Sequence, residues 1–228
     1  MFFHPMDFLI LIAFGISIWA QFRVKGSFNK WSEVPTRTGL TGYEAARRLL
    51  DENGLYNIQV EMVRGRLTDH YDPINKVVRL SEPVYAGRSI SAISVASHEV
   101  GHAIQHKEAY GALTLRHKMF PVTNIASGIA PFLLLGGLLL GQLNLIGLGI
   151  ILFSIAVAFQ LVTLPVEFNA SSRARNLMLS TGILYNEEEH GVKKVLGAAA
   201  LTYVAAALIS LLELIKFVMI FFQGSGEE

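Results

Sequence analysis

The sequence predicts an α-helical membrane protein, with four transmembrane helices and a small cytoplasmic α+β domain between the first and the second. Three observations carry this expectation. Of the 228 residues, 52% are hydrophobic and 16% charged, whereas a soluble globule of this size carries about 25% charged residues. The deficit comes from four apolar runs, at 6–22, 120–141, 145–164 and 196–222, each of about the length that spans a bilayer. All but one of the 19 Lys and Arg lie in two other segments, 23–118 and 165–195; Lys216 is the exception. Cations are retained on the cytoplasmic side of a membrane, so both segments are expected there and both termini outside.

Composition also excludes. The chain has no cysteine, which rules out disulfides, thiolate chemistry and Cys-rich structural zinc sites. The net charge of +1, with no basic stripe interleaved with aromatics, gives nucleic acid no footprint. The expected partner of such a chain is a lipid bilayer.

The first run, Met6 to Phe22, has no Lys or Arg before it and no small-x-small cleavage site after it, so it reads as a span rather than a signal peptide. Arg23, Lys25 and Lys30 follow it. In the 23–118 domain, Thr41-Gly42-Tyr43-Glu44 is a capping-box pattern opening a helix through Leu50, which Asn53-Gly54 ends. Ile58, Val60 and Met62 alternate with polar neighbours, a half-buried strand signal. Asp72-Pro73 marks a turn, and Lys76 to Leu80 reads as a second strand. That strand is expected to hold an extended peptide segment by strand addition. Ser89 caps a helix from Ile90 to about Glu108, with Gly111 just past its end. Inside the fourth run, Glu213 and Lys216 stand three apart, where they neutralise each other on one face.

The Ser89-capped helix contains His98-Glu99-Val100-Gly101-His102. Residues four apart share a helix face, so His98 and His102 can address one ion, and Glu99 lies beside them as a general base. Two ligands and a base from one turn is a zinc-peptidase arrangement. His106 continues the line but lies a further turn of about 5.4 Å along the axis, too far to share that ion. A catalytic zinc takes three protein ligands, and Glu167 is the better third. It stands just past the third run in Pro165-Val166-Glu167-Phe168-Asn169-Ala170-Ser171-Ser172-Arg173-Ala174. Ala170, Ser171 and Ala174 share its helix face, and their small side chains permit a close approach to the histidine helix. His70, Tyr71 and His190 are candidates to stabilise a developing oxyanion.

These motifs, together with Leu67 to Pro73 (LTDHYDP) and Val166 to Ala174, closely resemble the neutral zinc metallopeptidases of YugP type over nearly the whole chain. The plan is also similar, more distantly, to HtpX and the CAAX prenyl proteases, which are membrane gluzincins. The resemblance implies a zincin-like domain in a bacterial cell membrane, with one zinc per chain on His98, His102 and Glu167 and with Glu99 as base. It implies an endopeptidase that cleaves membrane or membrane-proximal proteins with a Glu-activated water. The HtpX plan usually has an Asp four residues after the ligand Glu; here that position is Ser171. The bond orienting a ligand histidine then falls to Ser171, Asn169 or another group. The alternative function is a non-catalytic membrane scaffold or regulator with a structural zinc, and the intact Glu99 argues against it.

Overall fold

The computed structural model describes residues 5–225. The first four residues and the carboxyl-terminal Gly226-Glu227-Glu228 lie outside the described residues, as do the positions of the two chain ends. The elements in order are α1 (Pro5–Ser32), α2 (Gly42–Glu52), β1 (Gln59–Val63), β2 (His70–Asp72), β3 (Val77–Ser81), α3 (Glu82–Tyr85), α4 (Ile90–Lys107), α5 (Gly111–Leu140), α6 (Leu143–Ser180) and α7 (Glu189–Ser225). The protein is thus mostly helical with a small sheet. The helices α1, α5, α6 and α7 are each long and apolar enough to cross a membrane. Two compact units can be distinguished.

One unit comprises residues 5–20, 114–165 and 202–225. Its outward side chains are apolar, with Phe8, Phe132, Leu139 and Ile151 all exposed. Glycine sets the spacing of α5 and α6. A Cβ on Gly149 would meet Leu134 at 2.8 Å, and one on Gly137 would meet the Ile146 backbone at the same distance. Phe153 and Phe217 meet edge to face with centroids 6.3 Å apart, a favoured aromatic geometry. The Lys216 ammonium donates to Asp7 Oδ1 at 3.0 Å. A cation expected to be neutralised by Glu213 on its own helix therefore takes a carboxylate from α1, 209 residues away.

The other unit comprises Gln21–Leu113 and Val166–Leu201. Its centre is α4, which begins at Ser89, whose hydroxyl accepts from the Ala92 N–H. The helix is buried on nearly every side: Ile90, Ile93, Ala96, Val100, Ala103 and Ile104 lie within the core with Ala45, Ala46, Leu49 and Leu50 of α2. Small Ser91, Ser94 and Ser97 are buried with these apolar residues, so neighbouring elements cover the helix on nearly every side. The cover is completed by Val78 and Leu80 of β3, Ala174 and Met178 of α6, and Val192 and Leu196 of α7. The α2 capping box forms as its sequence predicts, with Thr41 and Glu44 satisfying each other's backbone N–H groups.

The sheet order is β1-β3-β2, with β1 parallel and β2 antiparallel to β3. This corrects one expectation. β3 is the central strand, paired on both sides, so its backbone cannot accept an added peptide strand. Met62 is 58% exposed on the edge strand β1, so the alternation there buries less than its pattern suggests. Gly111 opens α5 instead of closing α4; the left-handed residue between the two helices is Ala109, with φ 49°. The third apolar run and the segment carrying Glu167 are one helix, α6, with Pro165 inside it.

Candidate metal centre

His98 and His102 leave α4 on one face, and Glu167 comes from α6. One carboxylate oxygen, Glu167 Oε2, lies 3.3 Å from His98 Nε2 and 3.5 Å from His102 Nε2. The three ligand atoms lie within 4.8 Å of one another, a group that could hold a metal ion. Zinc bonds of about 2.0–2.2 Å to N and O place the donors of a tetrahedron about 3.3–3.6 Å apart. Both distances to Glu167 have that value, and two imidazoles with one carboxylate suit zinc. The residues therefore fit the ion.

Close approach of α4 and α6 makes this possible. A Cβ on Gly101 would sit 2.7 Å from the Ala170 carbonyl oxygen and 3.2 Å from its Cα. Ala170 and Ala174 have no exposed surface. The glycine inside the histidine motif and the small face of α6 thus meet each other, and Glu167 is carried to the histidines by backbone contact.

Each imidazole has a second partner on its Nδ1. Ser171 Oγ lies 3.2 Å from His98 Nδ1, and Gln105 Oε1 lies 3.0 Å from His102 Nδ1. Gln105 is fully buried, and its Nε2 donates to the Val166 carbonyl at 2.8 Å and to Asn169 Oδ1 at 2.9 Å. The Arg173 Nε–H donates to the same Asn169 oxygen at 2.7 Å, and its guanidinium pairs with Glu108 at 2.7 Å. A guanidinium can only donate, so Arg173 fixes which atom of Asn169 faces it. That oxygen fixes the Gln105 amide, whose oxygen can only accept, so the His102 proton sits on Nδ1. In the neutral ring this leaves the His102 Nε2 lone pair for an ion, whereas without an ion a protonated Nε2 donates toward Glu167 Oε2 at 3.5 Å.

Burial alone would push the Glu167 carboxyl up, but hydrogen bonds from His102 and His98 and their charges outweigh it and hold it well below the usual carboxylate range. Burial alone would likewise push His102 down; its bond to Glu167, with the charges of Glu99 and Glu167 and the bond to Gln105, raises it instead. Glu99 is buried at 8% exposure and lies near enough for its charge to act on both His102 and Asp69. Asp69 is pushed up chiefly by burial, against the Ser81 backbone N–H and hydroxyl, which donate to it at 2.7 and 3.0 Å.

The other sequence candidates stand elsewhere. His70 Nδ1 lies 2.8 Å from the Thr68 carbonyl on an exposed strand. Tyr71 has its hydroxyl 2.9 Å from His106 Nδ1, and burial, then the charge of Asp72, pushes its phenol up to about 12. His190 packs edge to face on Trp31 with centroids 6.1 Å apart. Ser171 and Asn169 both stand beside the cluster. Sequence reasoning missed Gln105 and Asp69. Gln105 carried a signal, because a polar residue three after a ligand shares its helix face. Asp69 lay unremarked inside the LTDHYDP segment.

Comparison with known proteins agrees with this chemistry. The chain is 70% identical over 220 residues to "Putative membrane protease YugP" of Bacillus subtilis (strain 168), covering 96% of this chain and 98% of that protein. No solved structure matches it. The family model described as "Putative neutral zinc metallopeptidase" matches residues 6–222, and with nearly the whole chain covered, this protein belongs to that family.

Proposed function

We propose that the chain is a membrane-embedded zinc endopeptidase of gluzincin type, with one zinc held by His98, His102 and Glu167 and with Glu99 as the catalytic base. The observation that carries this reading is the meeting of His98 Nε2, His102 Nε2 and Glu167 Oε2 within 4.8 Å, with buried Glu99 on the next position of α4. When bound, zinc supplies Lewis acidity, lowering the pKa of water and polarising a peptide carbonyl. Glu99 takes a proton from the attacking water as its oxygen bonds to the carbonyl carbon. It then delivers that proton to the amide nitrogen as the C–N bond breaks. Ser171 and Gln105 hold the two imidazoles with Nε2 toward the ion, and the buried carboxylate of Glu167 completes the set.

The four long apolar helices cross the bilayer in this reading. The distribution of Lys and Arg favours segments 23–118 and 165–195 on the cytoplasmic side. Because the chain has no cysteine, single cysteines at Asn53 and at Gln142 test this directly. A membrane-impermeant maleimide added to intact cells is expected to label Gln142→Cys and to spare Asn53→Cys; the reverse pattern would invert the orientation.

Glu99→Gln tests the chemistry. Loss of the base is expected to cut cleavage of an unfolded casein-type substrate by about 10²–10⁴-fold, while bound zinc stays equal to the parent. A variant that cleaves as fast as the parent refutes the mechanism. The scaffold reading predicts that neither protein cleaves and that both hold zinc.

A further inference from the structure

A cavity of about 340 Å³ lies in the same unit, lined by Arg23, Gly26, Ser27, Lys30, Trp31, His190 and Lys194. Its volume is within the range of small-ligand sites, about 300–1,000 Å³. The residues from α1 stand at spacings of three and four and so form one helix face; His190 and Lys194, four apart, supply the facing side from α7. Three permanent cations and an imidazole line it, and none of the lining residues is a carboxylate.

Neighbouring residues sharpen this. Lys193 is paired with Glu189 at 2.9 Å, and Arg175 reaches the same carboxylate at 3.7 Å. Lys194 has no carboxylate partner among the described residues. The cavity wall is also fixed in advance. A Cβ on Gly191 would meet the Trp31 ring at 2.7 Å, so Trp31 is seated on the α7 backbone, with Lys30 Nζ 5.7 Å from its centroid. Ser27 Oγ has no hydrogen-bond partner among the described residues. A Cβ on Gly26 would meet nothing within 4 Å, so that part of the wall is open space.

We propose that this cavity binds the phosphodiester headgroup of an anionic phospholipid. A phosphate oxygen suits cations together with a free hydroxyl. The source is a lipid because of where the residues stand along the chain. Arg23 directly follows the apolar run ending at Phe22, and Lys194 precedes the run starting at Leu196 by two residues. At 1.5 Å of rise per residue, Lys30 is only about 12 Å beyond that first run. The headgroup layer extends about 5–8 Å beyond the hydrocarbon, level with Arg23 to Ser27 and within reach of the Lys30 side chain, and Trp is favoured there. The inference rests on α1 and α7 crossing a membrane and is independent of the peptidase chemistry.

The chain contains two tryptophans, so Trp19→Phe leaves Trp31, in the cavity wall, as the single reporter. In detergent, phosphatidylglycerol is expected to change Trp31 emission saturably, and phosphatidylcholine to leave it unchanged. Lys30→Gln with Lys194→Gln, in that background, is expected to weaken phosphatidylglycerol binding about tenfold or more. Lys30→Arg with Lys194→Arg is expected to bind as the parent does. Gly26→Leu fills the open space at constant charge and is expected to abolish the response, separating a built cavity from diffuse surface charge. Equal curves for the two lipids would overturn the proposal, as would a Gln pair or a Gly26→Leu variant that binds like the parent. Inorganic phosphate competing at lipid-like concentrations would also overturn it, in favour of a soluble anion.

Discussion

The two histidines of the cluster are held in different ways. His98 meets a single hydroxyl, Ser171 Oγ at 3.2 Å. A hydroxyl donates or accepts, so that contact alone leaves the ring's proton unassigned. His102 meets Gln105, whose amide is locked by Val166, Asn169 and, through Asn169, Arg173. Every group behind His102 has its donor and acceptor roles fixed, back to the ion pair of Arg173 with Glu108. Three helix-borne side chains and Glu108, at the end of α4, thus determine one imidazole, while one flexible hydroxyl serves the other. The lesson concerns rigidity: in the proposed zinc site His102 would be the ligand set in advance, and His98 the one free to adjust.

The most damaging change removes the difference by displacing both histidines from Glu167. In Gly101→Ala the new Cβ meets three backbone atoms of Ala170 at 2.7–3.3 Å, and backbone cannot rotate aside. The helices α4 and α6 must separate, in a site whose bond lengths tolerate about 0.2 Å. A stability loss of about 1–3 kcal/mol is expected, with zinc absent after dialysis. Thermal unfolding and metal analysis check both. A variant that keeps one zinc per chain would show that the small-residue contact does not set the ligand distance.

Gln105→Leu breaks only the His102 side. It leaves the His102 Nδ1–H without its acceptor and takes the Gln105 donor away from the buried Val166 carbonyl, while the Asn169 oxygen keeps its bond from Arg173. Outer partners of ligand histidines are worth about 10–100-fold in metal affinity, and the upper half of that range is expected, measured by chelator competition. Ser171→Ala breaks only the His98 side and removes one hydrogen bond of about 0.5–1.5 kcal/mol. The expected loss is about 2–10-fold. Ser171→Asp places a carboxylate acceptor on His98 Nδ1, a stronger, charge-assisted bond, and is expected to bind zinc more tightly than the parent. If Ser171→Ala cost more than Gln105→Leu, the asymmetry would be reversed.

This asymmetry was only half legible in the sequence. Local signals carried well: the Thr41 capping box, the Ser89 cap, the apolar runs and the four-residue spacing of His98 and His102 all act within a turn or two of chain. The small face of α6 pointed to Glu167, 69 residues from His98, because close approach leaves a compositional trace. Ser171 was named, with Asn169 as an alternative, because the resemblance to HtpX places an Asp at that position, four residues after Glu167. Gln105 was not, because glutamine is common on helices and its value lies in a bond to Asn169 from another segment. The sheet was misjudged for the same reason. β2 is three residues long, too short for an alternation signal, yet it covers the edge of β3 that was expected to be free. The Asp7–Lys216 pair likewise depends on a meeting of α1 and α7 that no local pattern encodes.

The smallest effect concerns pH and separates the metal-free site from the loaded one. Without metal, Glu167 and His102 stabilise each other as a carboxylate and an imidazolium. Glu167 is depressed below its ordinary 4.5, so its contribution is present above about pH 4.5 and lost as pH falls through the depressed value. His102 is raised above its ordinary 6.5, so its contribution is complete below pH 6.5 and lost as pH rises through the raised value. Chelator-treated protein is therefore expected to unfold at its highest temperature between about pH 4.5 and 6.5 and to weaken toward pH 8. Zinc needs neutral imidazole, so the rise in unfolding temperature on adding zinc should grow over the same interval. In Gln105→Leu the smaller of the two raising hydrogen bonds is gone while that with Glu167 stays, and the alkaline decline of the chelated protein should begin at slightly lower pH than in the parent. An unchanged decline would mean that the amide chain fixes the geometry of His102 but not its proton.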